Sequence, residues 1–111
     1  GVHSGVLFDQ KNDKILVFRE DVGRHNVFDK LYGWALRNRV EISDKIIIFS
    51  GRCSSEMMLK LGRMGISAVA AKSVPTTLSL SIAKKLGITL AARMAPGSFC
   101  VYANPERVAL A

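Results

Sequence analysis

The stretch Ile46-Ile47-Ile48-Phe49-Ser50-Gly51-Arg52-Cys53-Ser54-Ser55-Glu56 decides the fold. Its first four residues are apolar on both faces, the mark of a buried, parallel, central strand. A Ser/Gly/Arg loop follows, and a helix is predicted near Ser54–Met64, stopped by Gly65. Upstream, Val6-Leu7-Phe8 and Ile15-Leu16-Val17-Phe18 flank the polar turn formers Asp9 to Lys14, which reads as a β-hairpin. From Asn26 to Asn38, Val27, Phe28, Leu31, Trp34 and Ala35 recur at helical spacing. Downstream, Ser67–Ala71 reads as a strand. Pro75-Thr76-Thr77 opens a helix with Thr76 as N-cap, and Gly87 closes it. Ile88–Ala92 is a strand, Met94–Ser98 a turn and Phe99–Tyr102 a last strand. The order ββαβαβαββ predicts a three-layer α/β/α fold: a mixed, largely parallel sheet with helices on both faces.

The 111 residues have room for a single domain with one modest core. Sixteen basic against nine acidic side chains give a net charge of +7 and a pI near 9.9. That balance favours anionic partners such as nucleotides, phosphorylated cofactors, nucleic acid or an acidic protein face. No apolar run approaches the ~20 residues of a membrane span. Cys53 and Cys100 lie far apart, and nothing suggests a secreted disulfide scaffold, so a reducing cytosol is expected. The chain opens on Gly1-Val2-His3-Ser4-Gly5 without an initiator Met, and is read as a piece of a longer protein.

Ligands of open α/β sheets collect at the carboxyl ends of strands, and three junctions there carry chemistry. In Ser50-Gly51-Arg52-Cys53-Ser54-Ser55-Glu56, backbone N–H groups at the helix start suit an anion, and Arg52 can meet phosphate bidentately. The same residues also read as a capped helix with a solvated Arg. Lys72-Ser73-Val74-Pro75-Thr76-Thr77 repeats the design, with Ser73 and Thr76 placed to bind phosphate or simply to cap. The run Glu20-Asp21-Val22-Gly23-Arg24-His25-Asn26-Val27-Phe28-Asp29-Lys30 packs acid, base and imidazole at the first strand-to-helix joint. His25 and Asp29 are four apart and share a helix face, so a carboxylate beside the imidazole would hold one tautomer. The alternative is a polar network fastening helix to sheet. Cys53 sits where a helix start lowers a thiol pKa, yet it lacks a paired base.

Together these segments resemble the formate dehydrogenase accessory sulfurtransferases, the FdhD family. Glu20 to Asn26 with Asp29-Lys30 is similar to that family's most recognisable block. Ser50-Gly51-Arg52 with Ser54 to Met57, Ser73 to Leu78, and Val101-Tyr102 with Pro105-Glu106-Arg107 follow in family order across nearly the whole chain. The resemblance implies a cytoplasmic protein of cytidine-deaminase-like fold. Such proteins relay persulfide sulfur from a cysteine desulfurase to the molybdenum cofactor of formate dehydrogenase, in its bis-molybdopterin guanine dinucleotide form, which is bound as a client. It also allows a homodimer, and it leaves the membrane and nucleic acid out.

By position, the family's cofactor-binding loop falls on Arg93, Met94, Ala95, Pro96, Gly97 and Ser98. The family often has Gly-Arg where this chain has Gly97-Ser98. With the junctions above, the cofactor-binding candidates are these six, Ser50, Gly51, Arg52, Ser54, Ser73, Thr76, Asp21, Arg24, His25 and Asp29. The family's sulfur-carrying Cys-x-x-Cys pair is not in these 111 residues. The chain is therefore expected to be a C-terminal, cofactor-binding part, inactive by itself, with no catalytic residue of its own. Zinc is not expected, since His-x-Glu and Pro-Cys-x-x-Cys are missing. The rival reading is a guanine-nucleotide or RNA binding module without catalysis. Against RNA, the aromatics sit mostly at core-like positions rather than among the basic residues.

Overall fold

A computed structural model of the chain describes residues 1–72, 76–95 and 98–103, with side chains described for 1–72 and 76–92. Nine elements follow in the predicted order: β1 (His3–Asp9), β2 (Lys14–Asp21), α1 (Arg24–Arg37), β3 (Ile46–Phe49), α2 (Ser55–Met64), β4 (Ala68–Ala71), α3 (Thr77–Leu86), β5 (Thr89–Ala95) and β6 (Ser98–Ala103). The hairpin loop is closed by its own polar residues. Asp9 accepts from the Asn12 side-chain amide at 2.7 Å and from its backbone N–H at 3.3 Å. These bonds, the side-chain one foremost, hold the Asp9 carboxyl below its ordinary pKa.

Two helices stop on the predicted glycines, and α3 starts on its predicted cap; α2 starts on Ser54, one of two serines able to cap it. The Ser54 side chain accepts from the N–H of Met57 and that of Thr76 from the N–H of Ser79. At the other ends Gly65 and Gly87 adopt left-handed backbone, with φ of 84° and 70°, which costs a glycine little. β5 runs on to Ala95 and β6 begins at Ser98, so Met94, Ala95 and Ser98, expected in a turn, are strand residues.

The sheet order is β2-β1-β3-β4-β5-β6. β2, β3, β4 and β5 run one way, and β1 and β6 run against them. The sheet is thus mixed, with four of six strands parallel. One row of side chains crosses five strands in register: Val17, Leu7, Ile47, Val69 and Leu90. All five are buried, and each such burial contributes about 1.5–3 kcal/mol. Onto this row α1 lays Val27, Phe28 and Leu31, and α2 lays Met57, Met58 and Leu61, all fully buried.

All three helices lie in one layer. The ion pair Asp29–Lys60, at 2.8 Å, joins α1 to α2. Gly62 of α2 lies against Leu86 of α3, so closely that a Cβ would sit 2.7 Å from a leucine methyl. Among the described residues the opposite face carries no helix. The reason is topological. β2, β3, β4 and β5 step across the sheet in a single direction, and right-handed crossovers then deposit every helix on the same side. The adjacent row, Phe18, Val6, Ile48 and Ala70, faces away. Phe18 is 50% exposed and Ile48 36%. Ile46–Phe49 is therefore not buried on both faces. Ile47 and Phe49 point into the core and Ile48 does not.

Candidate functional site: a basic cleft at the strand ends

β2, β3 and β4 end along one edge of the sheet, and α1, α2 and α3 begin there. The antiparallel β1 starts at the same edge, so His3 is level with Asp21 and Gly5 with Phe49. Backbone bonds tie the ends together. The N–H of Ser50 donates to the Ser4 carbonyl at 2.9 Å, and the N–H of Ser4 donates to Ser50 Oγ at 2.8 Å. The N–H of Lys72 donates to the Gly51 carbonyl at 3.0 Å, which fixes the β4–α3 junction against the β3–α2 junction.

Between these ends opens a cleft of about 470 Å³, lined by His3, Ser50, Gly51, Arg52 and Lys72 with the first two residues of the chain. A second hollow, about 430 Å³, shares Ser50 and Lys72 and continues over the open sheet face past Phe18 and Ile48. Arg52 and Lys72 are exposed, so the cleft presents two cations to solvent, on the segments that lead from β3 and β4. Such a place favours negative charge. One wall is the His3 imidazole, backed by aromatic rings. The His3 ring stacks on Phe49 at 5.9 Å, and Phe49 meets Phe28 edge-on at 5.0 Å. Gly51 passes so near these rings that a Cβ would lie 2.9 Å from Phe49 Cε2 and 3.2 Å from His3 Nδ1.

Ser50, Gly51 and Arg52 thus fall in the cleft, as the sequence suggested. Ser54 and Thr76 act as helix caps. Asp21 works at the joint between β2 and α1. It accepts from the N–H of Gly23 at 2.8 Å, from the Asn26 amide at 3.2 Å and from Lys30 Nζ at 2.9 Å. The Lys30 contact, followed by those of Gly23 and Asn26, holds its carboxyl far below the usual range. Arg24 is exposed at the first residue of α1.

The expected His25–Asp29 pairing needs correcting. His25 Nε2 lies 3.8 Å from Glu56 of α2, and Asp29 pairs instead with Lys60 of α2. Two helix-to-helix partners compete for these side chains, and both residues serve the seam between α1 and α2. His25, Glu56 and Lys60 line a separate groove of about 320 Å³ there. Cys53 is buried with its sulfur 3.2 Å from Met58 Sδ. Burial pushes its thiol up to about 12, the reverse of activation.

Of the loop assigned by position, Arg93, Met94 and Ala95 belong to β5 and Ser98 opens β6; their side chains, with Pro96, Gly97, Ser73 and Pro105 to Arg107, lie outside the described residues. The residue that sequence reasoning missed is His3. Nothing local marks it, since only the register of β1 against β2 and β3 brings it to the cleft. No helix among the described residues is long and apolar enough to cross a membrane.

The fold and cleft define an α/β domain whose described helices share one face and whose strand ends carry a basic site. Residues 1–109 match the model of the FdhD/NarQ family. The "Sulfur carrier protein FdhD" of Bacillus subtilis (strain 168) is 48% identical over 97% of this chain, and that of Geobacillus kaustophilus (strain HTA426) is 46% identical over the same share. A crystal structure from Desulfotalea psychrophila, of a protein put forward as a formate dehydrogenase accessory protein, superposes with a TM-score of 0.85 at 36% identity, covering 97% of this chain and 48% of that one. The chain belongs to the FdhD/NarQ family. It spans 40% of the length of each of these two curated relatives.

Proposed function

We propose that these residues form the client-binding part of a sulfur carrier protein that serves formate dehydrogenase in the cytoplasm. In this reading, persulfide sulfur from a cysteine desulfurase is delivered to the molybdenum cofactor in its guanine dinucleotide form, held as substrate in the strand-end cleft. The observation that carries the reading is the convergence of Arg52 and Lys72 on one cleft at the strand ends. Arg52 would clamp the diphosphate, and Lys72 would add a point charge. Ser50 and the backbone around Gly51 would complete the hydrogen bonding.

Sulfur transfer needs an accessible thiolate; buried Cys53 does not offer one, and neither Cys53 nor Cys100 stands in a Cys-x-x-Cys pair. The carrier thiol is on this reading assigned to other residues of a longer polypeptide, and this stretch binds and orients. A homodimer is compatible with this role. The family-derived loop, Arg93 to Ser98, and Ser73, next to Lys72 in sequence, would add contacts from the neighbouring strand ends.

Calorimetry with GDP tests the reading. Binding is expected, weakened about tenfold or more by Arg52→Ala, since a hydrogen bond to a charged group contributes ~1.5–3 kcal/mol. Tight, salt-sensitive binding of single-stranded RNA with no GDP heat would replace it by an RNA module. A stable extra sulfur on Cys53, seen by intact-mass analysis after incubation with a desulfurase and cysteine, would overturn the division of labour.

A further inference from the structure

We propose that His3 is the proton-sensing phosphate contact of the strand-end cleft, so that the cleft binds a nucleoside diphosphate more tightly as pH falls. The proposal rests on the reading of the cleft as a nucleotide site. His3 lines the cleft with Ser50, Gly51, Arg52 and Lys72. Its imidazole is fixed by stacking on Phe49 at 5.9 Å with an interplanar angle of 27°. Gly51 closes on the ring edge, where a Cβ would come within 3.2 Å of Nδ1. Its ring position is therefore set before any ligand arrives, which lowers the ordering cost of a contact.

The charges around His3 give the sign. Arg52 comes from the β3–α2 junction and Lys72 from the β4–α3 junction. From β2 the residue opposite is Asp21, whose carboxylate is occupied by Lys30, Gly23 and Asn26. A phosphate beside an imidazole favours the charged form, and binding draws a proton from solvent. Affinity should be greatest where the imidazolium is retained and should fall as pH rises through neutrality. The other histidine, His25, lies in the groove between α1 and α2 and serves as control.

The test is calorimetric titration of this chain with GDP from about pH 6 to about pH 8, in buffers of differing ionisation enthalpy, around the ordinary imidazole range. GDP titrates in the same range, so the comparison is between variants. His3→Gln, and His3→Phe to preserve the stack on Phe49, should remove part of the proton uptake and lose roughly tenfold in affinity at the acidic end. Both should approach the unsubstituted chain at the alkaline end, and His25→Gln should behave as the unsubstituted chain throughout. Retention of the full proton uptake and pH slope by both His3 variants would overturn the proposal while leaving the nucleotide reading intact. Failure of the unsubstituted chain to bind GDP at either end would overturn both.

Discussion

Lys30 Nζ stands 2.9 Å from the Asp21 carboxylate and, through a second hydrogen bond, 2.8 Å from the Glu20 carbonyl. One side chain from the second turn of α1 thus grips the end of β2 twice. The acid at that end in turn accepts from Gly23 and Asn26 at the helix start. Acid and base in this run fasten the helix to the sheet.

The pH dependence of stability should carry this signature. Asp21 has its carboxyl pKa depressed in the folded protein, first by Lys30 and then by Gly23 and Asn26. A depressed carboxylate contributes stability that is present above its unfolded value, about 3.9, and is lost as pH falls below it. Asp21→Asn should lower the melting temperature at neutral pH and flatten the decline on the acid side. Thermal scans from neutral to strongly acidic pH measure it, and parallel curves for the two proteins would contradict the account.

Gly51→Ala puts a Cβ into the space held by Phe49 and His3. Such overpacking costs about 1–3 kcal/mol. The ring of Phe49 is pinned beneath by Phe28, so the loop rather than the ring must shift. Urea unfolding should show the loss of stability, and GDP calorimetry a weaker cleft.

Phe28→Ala removes a ring with no exposed surface that supports Phe49 and, above it, His3. A loss of ~3–5 kcal/mol is expected in chemical denaturation. Unlike Gly51→Ala, the change acts from inside the core, and any ligand effect should follow the stability loss.

Cys53, with its thiol pushed up to about 12 by burial, should resist iodoacetamide at mildly alkaline pH in the folded protein and react after unfolding. Labelling in a Cys100→Ser background isolates it. Rapid alkylation of the native state would show a thiol more open than its surroundings imply.

Local signals made much of the fold legible. Ser54, Gly65, Thr76 and Gly87 bound their helices because capping chemistry is written within a few residues. Non-local facts escaped. Ile46-Ile47-Ile48-Phe49 looks uniformly apolar, yet Ile48 faces away because helix placement depends on the direction in which strands are laid down. His25 and Asp29 share a face of α1 as their spacing required, but neither partner is on α1. Glu56 and Lys60 arrive from a helix thirty residues on, and no pattern within the first block names them. His3 reaches the cleft through strand register alone. Arg52, by contrast, was legible, because its place at a strand-to-helix junction is itself a local fact.

The one-sided helical layer has a colloidal consequence. Phe18, Ile48 and Ile15 present aromatic and aliphatic surface to water on a molecule carrying seven excess positive charges. At low ionic strength that charge keeps copies apart. The screening length shrinks from about 10 Å at 0.1 M salt to about 3 Å at 1 M, while the attraction between apolar patches persists. This protein should therefore be easiest to concentrate in dilute buffer, and added salt should drive its copies together, open face first.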